Sequence, residues 1–309
     1  MRSSSIQTLV ELADEGVDLH FFTADLGFRI LDPLRERHPT KFTNAGVSEA
    51  NMVSVAAGMT MLGKRPVCYS MVPFLFMRAF EQVRVDVVAP MRPVVLLGVG
   101  GGLSYGSEGV SHHAVEDLAI ARALPGLRVI APGDPVEAAA ALRLALRSDG
   151  PTFIRLGKNG DPRIHPAAVD IRRPLVVHGD AARRVVVFAA GHILAATLDA
   201  AKLLEEQGLP VRVVSLPLLK PFDALSVREL VRGADAVFTV EEHSVVGGLG
   251  TEMSELLLTE RFDGKFRKIG LPDAYCRKYG TLEWLRQQYG LDPAGIARRV
   301  AEVVHGTSG

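Results

Sequence analysis

The sequence predicts a two-domain α/β protein, in which a mainly parallel sheet covered by helices on both faces precedes a smaller α/β domain. Three observations carry this expectation. The chain has 309 residues, more than one typical core organises. Short continuous apolar runs alternate with segments at helical spacing, the pattern of strands buried on both faces. Between 161 and 183 the texture turns rich in proline, arginine and glycine with little periodicity, which reads as a linker between domains at 1–160 and 184–309.

Taken in order, "MRSSSIQTLVELADEG" opens as an amphipathic helix, with acids at Glu11, Asp14 and Glu15 and no apolar signal core. "NAGVSEANMVSVAAGM" (Asn44 to Met59) is a second helix, in which Glu49 is the one acid among small and apolar residues. "RPVVLLGVG", "LRVIAPGD" and "GPTFIRLGK" read as buried strands, and "PVEAAAALRLALRS" has strong helix formers at helical spacing. Beyond the linker come the strand "RRVVVFAAG", the helix "HILAATLDAAKLLEEQG" and the strand "PVRVVSLPLL". The helix "SVRELVRG", the strand "DAVFTVEE", the segment "GGLGTEMSELLLTE" and a closing helix "LDPAGIARRVAEVV" complete the series.

Composition excludes several classes of function. Lys+Arg and Asp+Glu both number 35, which gives no electrostatic basis for a nucleic acid or an anionic membrane as partner. No apolar run reaches the roughly 18 residues a spanning helix needs. Cys68 and Cys276 form neither a disulfide framework nor a zinc pattern, so a cytoplasmic, reducing home is the expectation. The glycine-rich loop "GVGGGLSYGSEG" fails the dinucleotide fingerprint, because the sixth residue is Leu103 counted from Gly98 and Tyr105 counted from Gly100. Its glycines either turn the chain tightly after a strand or open a ligand loop at the strand's carboxyl end.

In chain order, "TADLG", "GVSEANMVSVAAGMTMLGKRPVCYSMVPFLFMRAFEQVRVDV", "GSEGVSHHAVEDLAIARALPGLRVIAPGDPVE" and "GPTFIRLGKN" together resemble the pyrimidine-binding domain of transketolases and deoxyxylulose-phosphate synthases. "TVEEHSVVGGLGTEM" is similar to their C-terminal domain. The resemblance implies thiamine diphosphate as cofactor. The family's diphosphate-binding domain carries a Gly-Asp-Gly motif with a later asparagine. Here Gly133-Asp134, Gly160-Asp161 and Gly179-Asp180 are followed by Pro135, Pro162 and Ala181. The chain therefore resembles the C-terminal subunit of a split transketolase. That resemblance implies an N-terminal, diphosphate-binding partner subunit, which supplies the oxygen ligands of Mg2+ or Ca2+, this chain holding none. It further implies a heterotetramer with two copies of each chain. The expected reaction moves a two-carbon ketol unit from a ketose to an aldehyde. Alternatives are the beta subunit of a 2-oxo-acid dehydrogenase or a non-catalytic regulatory subunit.

The resemblance also implies roles for particular residues. Glu49 matches the acid that hydrogen-bonds the pyrimidine N1′ and shifts its tautomer. As a helix-opening acid after Ser48 it also suits a capped helix N-terminus. Phe74 and Phe76 fall where the family stacks an aromatic on the ring, one of the two being expected in that role and the other in the core. Arg78, Glu81, Gln82 and Arg84 read as a polar face near a subunit contact. His112, with His113 beside it, matches the histidine near the substrate hydroxyls, where an imidazole both donates and accepts near neutral pH. Asp25 resembles a residue near the cofactor, its plain alternative being a turn acid. Arg155 and Lys158 follow a strand and are both expected to bind substrate; Lys158 matches a basic residue that binds sugar phosphate, the alternative being a solvated charge. The sequence departs from the pattern twice. No histidine stands near Gly100, and Arg29 lies where a serine usually helps hold phosphate.

Overall fold

The computed structural model describes residues 1–158 and 160–306. Its twelve strands form two sheets. β1 (Leu19–Thr23), β2 (Phe42–Asn44), β3 (Arg65–Met71), β4 (Val95–Val99), β5 (Arg128–Ile130) and β6 (Thr152–Leu156) build most of the first; β7 (Leu175–His178), β8 (Val185–Ala190), β9 (Val211–Ser215), β11 (Ala236–Ser244) and β12 (Lys265–Leu271) build the second. The first sheet runs β10-β5-β6-β4-β3-β1-β2, where β10 is Leu218–Lys220, and the second runs β12-β11-β8-β9-β7. All pairings are parallel except the edge pairs β10 with β5 and β7 with β9. Parallel strands need crossovers, and helices supply them. In the first half these are α1 (Arg2–Asp14), α2 (Asp32–Arg37), α3 (Glu49–Thr60), α4 (Phe80–Gln82), α5 (Asp117–Ala123) and α6 (Pro135–Leu146). The second half has α7 (Leu194–Glu206), α8 (Ala224–Val231), α9 (Leu249–Thr259), α10 (Leu282–Tyr289) and α11 (Pro293–His305). None is long and apolar enough to cross a membrane.

The apolar runs become the strands they predict. Every residue of β4, β6, β8 and β9 is buried, as expected for strands covered on both faces. Two features depart from the sequence reading. The stretch 161–183 contains β7, which pairs antiparallel with β9, and segment 162–166 is pinned to α6. There Asp134 accepts from the backbone amides of Glu137, Ile164 and His165, while Glu137 accepts from Gly133 N and His165 Nε2. Asp134, Glu137 and His165, all buried, sit close enough to hold an ion, yet both carboxylates are engaged by these donors. In addition, "PVRVVSLPLL" divides at Leu216-Pro217: β9 stays in the second sheet and β10 joins the first. Lys220 secures that loan by donating to the carbonyls of Arg122 and Leu124.

A buried ion pair fastens the two halves. Arg155 on β6 donates to Asp117 Oδ2 at 2.7 Å and to the carbonyls of Ala114 and Glu242 at 2.8 and 2.9 Å. Neither charged side chain reaches solvent. Arg155 is thus a strut between β6, α5 and β11 and presents no group to a substrate, contrary to the expectation that it binds one. Its burial follows from β6 having both faces covered. Removing one member of such a pair strands the other charge, at a cost of about 3–5 kcal/mol. Arg155→Met should lower stability by about that amount, read as a fall in the urea midpoint at unchanged m-value.

Candidate active site

Glu49 opens α3 and is 2% exposed. Its Oε1 accepts from Ser70 Oγ at 3.0 Å, near the C-terminal end of β3, and its Oε2 faces Arg78 Nη1 at 3.4 Å. Ser48 makes no side-chain capping bond, so the helix-capping alternative is not what holds this segment. The acid does lie at the positive end of the helix dipole, which favours it there. Further along α3, Ala56 and Ala57 are buried, and Ser54 Oγ donates to Asp86 Oδ2 at 2.6 Å.

After β3 the chain runs through two π-helical stretches, Pro73–Arg78 and Val83–Val88, on either side of α4. π turns are uncommon and cluster at functional sites. The first carries Phe74 and Arg78. Phe74 is half-buried, the Arg78 guanidinium lies 4.3 Å from its ring centroid, and the His112 ring meets it edge-on at 5.1 Å. Phe76, by contrast, is wholly buried and stacks on Phe153 at 4.6 Å. Of the two aromatics expected near the ring, Phe76 therefore belongs to the core, where the inner side of the π turn directs it.

From His112 the surface continues. Its Nδ1 is 2.9 Å from Ser111 Oγ, and Tyr105 stands 5.9 Å away, centroid to centroid. Lys158 Nζ lies 4.4 Å from the Tyr105 ring and 3.7 Å from Glu108 Oε1. The Ser107 hydroxyl, with help from Lys158 and His112, holds Glu108 below the usual carboxylate range. Glu49, Arg78, Phe74, His112, Tyr105 and Lys158 thus form one unbroken line of contacts. His113 does not join it. It is 4% exposed, neither ring nitrogen has a hydrogen-bond partner among the described residues, and burial pushes its pKa below the ordinary value. The expected substrate contact at His113 is absent because its ring turns inward while that of His112 turns out. Asp25 and Arg29 sit apart, exposed on the loop after β1, both with left-handed backbone (φ 55° and 66°). Asp25 is tied to the loop before Glu49, since Asn44 Nδ2 donates to Asp25 Oδ1 at 2.9 Å and Asn44 Oδ1 accepts from Asp25 N and Gly46 N.

The glycine-rich loop after β4 now has a physical explanation. A Cβ on Gly100 would collide with the Tyr105 ring, one on Gly101 with the Arg155 guanidinium, and one on Gly102 with Glu242 Oε1. The glycines let three side chains press against backbone. Glu242 is the residue that sequence reasoning missed. It reaches from β11 to accept from Leu103 N at 2.7 Å, and is held by His192 Nε2 at 2.9 Å and Arg286 Nε at 2.6 Å. The adjacent acids in "TVEEHS", improbable inside an otherwise apolar strand, are the signal that could have found it.

Residues 1–160 match the family model described as the transketolase pyrimidine-binding domain, and residues 176–296 match that of the transketolase C-terminal domain. The chain belongs to the transketolase family. A Methanocaldococcus jannaschii protein described as a transketolase C-terminal section is 32% identical over 98% of this chain and 95% of its own length. An apulose-4-phosphate transketolase subunit of Phocaeicola vulgatus is 30% identical over 98% of this chain and 97% of its own. Against the 1-deoxy-D-xylulose-5-phosphate synthase of Chlorobium luteolum the identity is 34%, but the match spans 47% of that longer protein. Among solved structures, "Split gene transketolase, inactive beta4 tetramer" superposes with a TM-score of 0.88 at 32% identity, covering 98% of both chains. The whole transketolase of Leishmania mexicana shares the fold, with a TM-score of 0.81 at 22% identity over 45% of its length. This chain thus has the size and domain content of a split transketolase C-terminal subunit. The transketolase family depends on thiamine diphosphate, and the residues here fit its ring in kind: a sunken carboxylate and a half-buried aromatic ring are bridged by the planar guanidinium of Arg78.

Burial alone would raise the pKa of Glu242, but Arg286 and His192 outweigh it and hold the carboxyl well below its ordinary 4.5. A carboxylate so depressed stabilises the fold above its unfolded pKa, and that contribution is lost as pH falls through the folded value. Glu242→Gln should therefore flatten the acid-side decline in melting temperature, measured from about pH 7 down to about pH 3.

Proposed function

We propose that this chain is the pyrimidine-binding half of a two-subunit, thiamine-diphosphate-dependent transketolase. When bound, the cofactor supplies the carbon nucleophile through which a two-carbon ketol unit passes from a ketose to an aldehyde. Glu49 holds a proton at Oε2, shared with the ring nitrogen, while Ser70 fixes Oε1. Phe74 stacks on the ring. His112, held by Ser111 and braced by Phe74 and Tyr105, exchanges a proton with substrate hydroxyls. Lys158 offers a point charge to a phosphorylated substrate, and Arg29, exposed on the loop after β1, a second cation. Asp25, braced by Asn44, lines the cofactor side.

In this reading the diphosphate and its Mg2+ or Ca2+ fall to a separate subunit, as the similarity to a transketolase C-terminal section and to one subunit of a transketolase supports. Two copies of each chain would place the sites at subunit seams, where burial keeps water from the reacting carbon. The similar chain solved as an inactive tetramer of a split-gene transketolase supports this reading. So does the Phocaeicola vulgatus relative, itself one subunit of a transketolase.

One observation carries the proposal: a carboxylate sunk to 2% exposure whose outer oxygen meets Arg78, which itself lies over the half-buried ring of Phe74. Reconstituted with a diphosphate-binding subunit, the wild-type chain should catalyse cofactor-dependent ketol transfer, and the isolated chain should not. Glu49→Gln should cut kcat by about 10²–10⁴-fold, a size expected for loss of a positioned acid, without lowering the melting temperature. Turnover by the isolated chain, or full activity in Glu49→Gln, would refute the assignment.

A further inference from the structure

We infer that Arg78 is a placeholder for the cofactor's ring and must leave for the ring to enter. The inference rests on the reading of this surface as the aminopyrimidine site. That ring needs two things from the chain, an aromatic face to lie on and a carboxyl oxygen to bond. Arg78 occupies both. Its guanidinium is 4.3 Å from the Phe74 centroid and 3.4 Å from Glu49 Oε2. A guanidinium is planar, delocalised and rich in in-plane N–H donors, so it satisfies an aromatic face and a carboxylate together, as a flat nitrogen heterocycle does. Glu49 is its one ion-pair partner among the described residues.

The surroundings allow departure. The Arg78 side chain is 52% exposed, against 2% for that of Glu49, so it covers the acid from the solvent side without being built into the core. Arg78 is also the last residue of the first π-helical stretch, and Ala79 behind it leaves helical geometry (φ −92°, ψ 22°) before α4 begins. The backbone is least regular at that joint. Ser70 holds the other carboxylate oxygen, so Glu49 stays in place when the guanidinium swings out. In the unloaded chain the pair keeps a sunken acid from being left unpartnered, which would be costly. Loading then exchanges one planar partner for another.

A placeholder competes with the ligand it mimics, so its removal should strengthen binding. Thiamine diphosphate with Mg2+, titrated calorimetrically into the complex with the diphosphate-binding subunit, should bind Arg78→Ala about three- to tenfold more tightly than wild type. That is the range expected for one half-exposed ion pair with a cation–π contact. Stopped-flow mixing should show a faster association rate. Arg78→Lys should fall between the two, because an ammonium is drawn to Glu49 but cannot lie flat on Phe74. If Arg78→Ala fails to assemble, Arg78→Gln, which keeps length without charge, carries the same expectation. Equal or weaker binding by the neutral variants overturns the inference while leaving the site assignment standing. So does a crystal structure of the loaded complex with the guanidinium still between Glu49 and Phe74. Absence of binding by the wild-type complex would instead overturn the site assignment itself.

Discussion

The carboxylate of Glu242 is the point on which the rest of the molecule leans. It belongs to the second sheet, yet its oxygens serve the first, by accepting the Leu103 amide and filling the space that Gly102 leaves open. A buried carboxylate is tolerable only when its charge is matched and its lone pairs are engaged. His192 and Arg286 do the matching from two further segments, so one acid gathers β11, the loop after β8, α10 and the glycine-rich loop. Arg155 adds a second tie through the Glu242 carbonyl. With the loop fixed at its base, Tyr105 and His112 are presented at a set height beside Phe74. The C-terminal domain thus shapes the candidate site through this loop.

That surface has an asymmetry that suits a site shared between proteins. Glu49 is sunk and bonded on its inner side, whereas Phe74, His112 and Lys158 are each left partly open on the outer side. Exposed apolar residues lie nearby in the chain: Val55 on α3, Met61 and Leu62 in the turn after it, and Val85 on the second π-helical stretch. A shell with one finished wall fits a family whose other wall is built by a different domain.

Much of this is legible in the sequence, and the exceptions share a cause. Continuous apolar runs identify the central strands because both faces of each sheet are covered. The same double burial hides the fate of Arg155: in a strand without alternation, nothing in the pattern says which way a polar residue points or what it meets. Glu49 stands out as a lone acid within an apolar helix, and the ordered motifs give it a role. Phe74 and Phe76 are inseparable by spacing, because the choice depends on a π turn whose hydrogen-bond register leaves no mark in the hydrophobic pattern. β7 reads as linker because its four residues, Leu175–His178, are too short a run to show a period between flanking proline, arginine and glycine. Glu242, His192 and Arg286 are far apart in the chain, and only the fold brings them together.

The loan of β10 carries its own consequence. This strand comes after β7, β8 and β9 in the chain, yet it completes the first sheet by pairing antiparallel with β5. A fragment ending anywhere before Leu218 would leave β5 with bare amides and carbonyls along a buried flank, an invitation to foreign strands. The seam between the domains is therefore no place to cut.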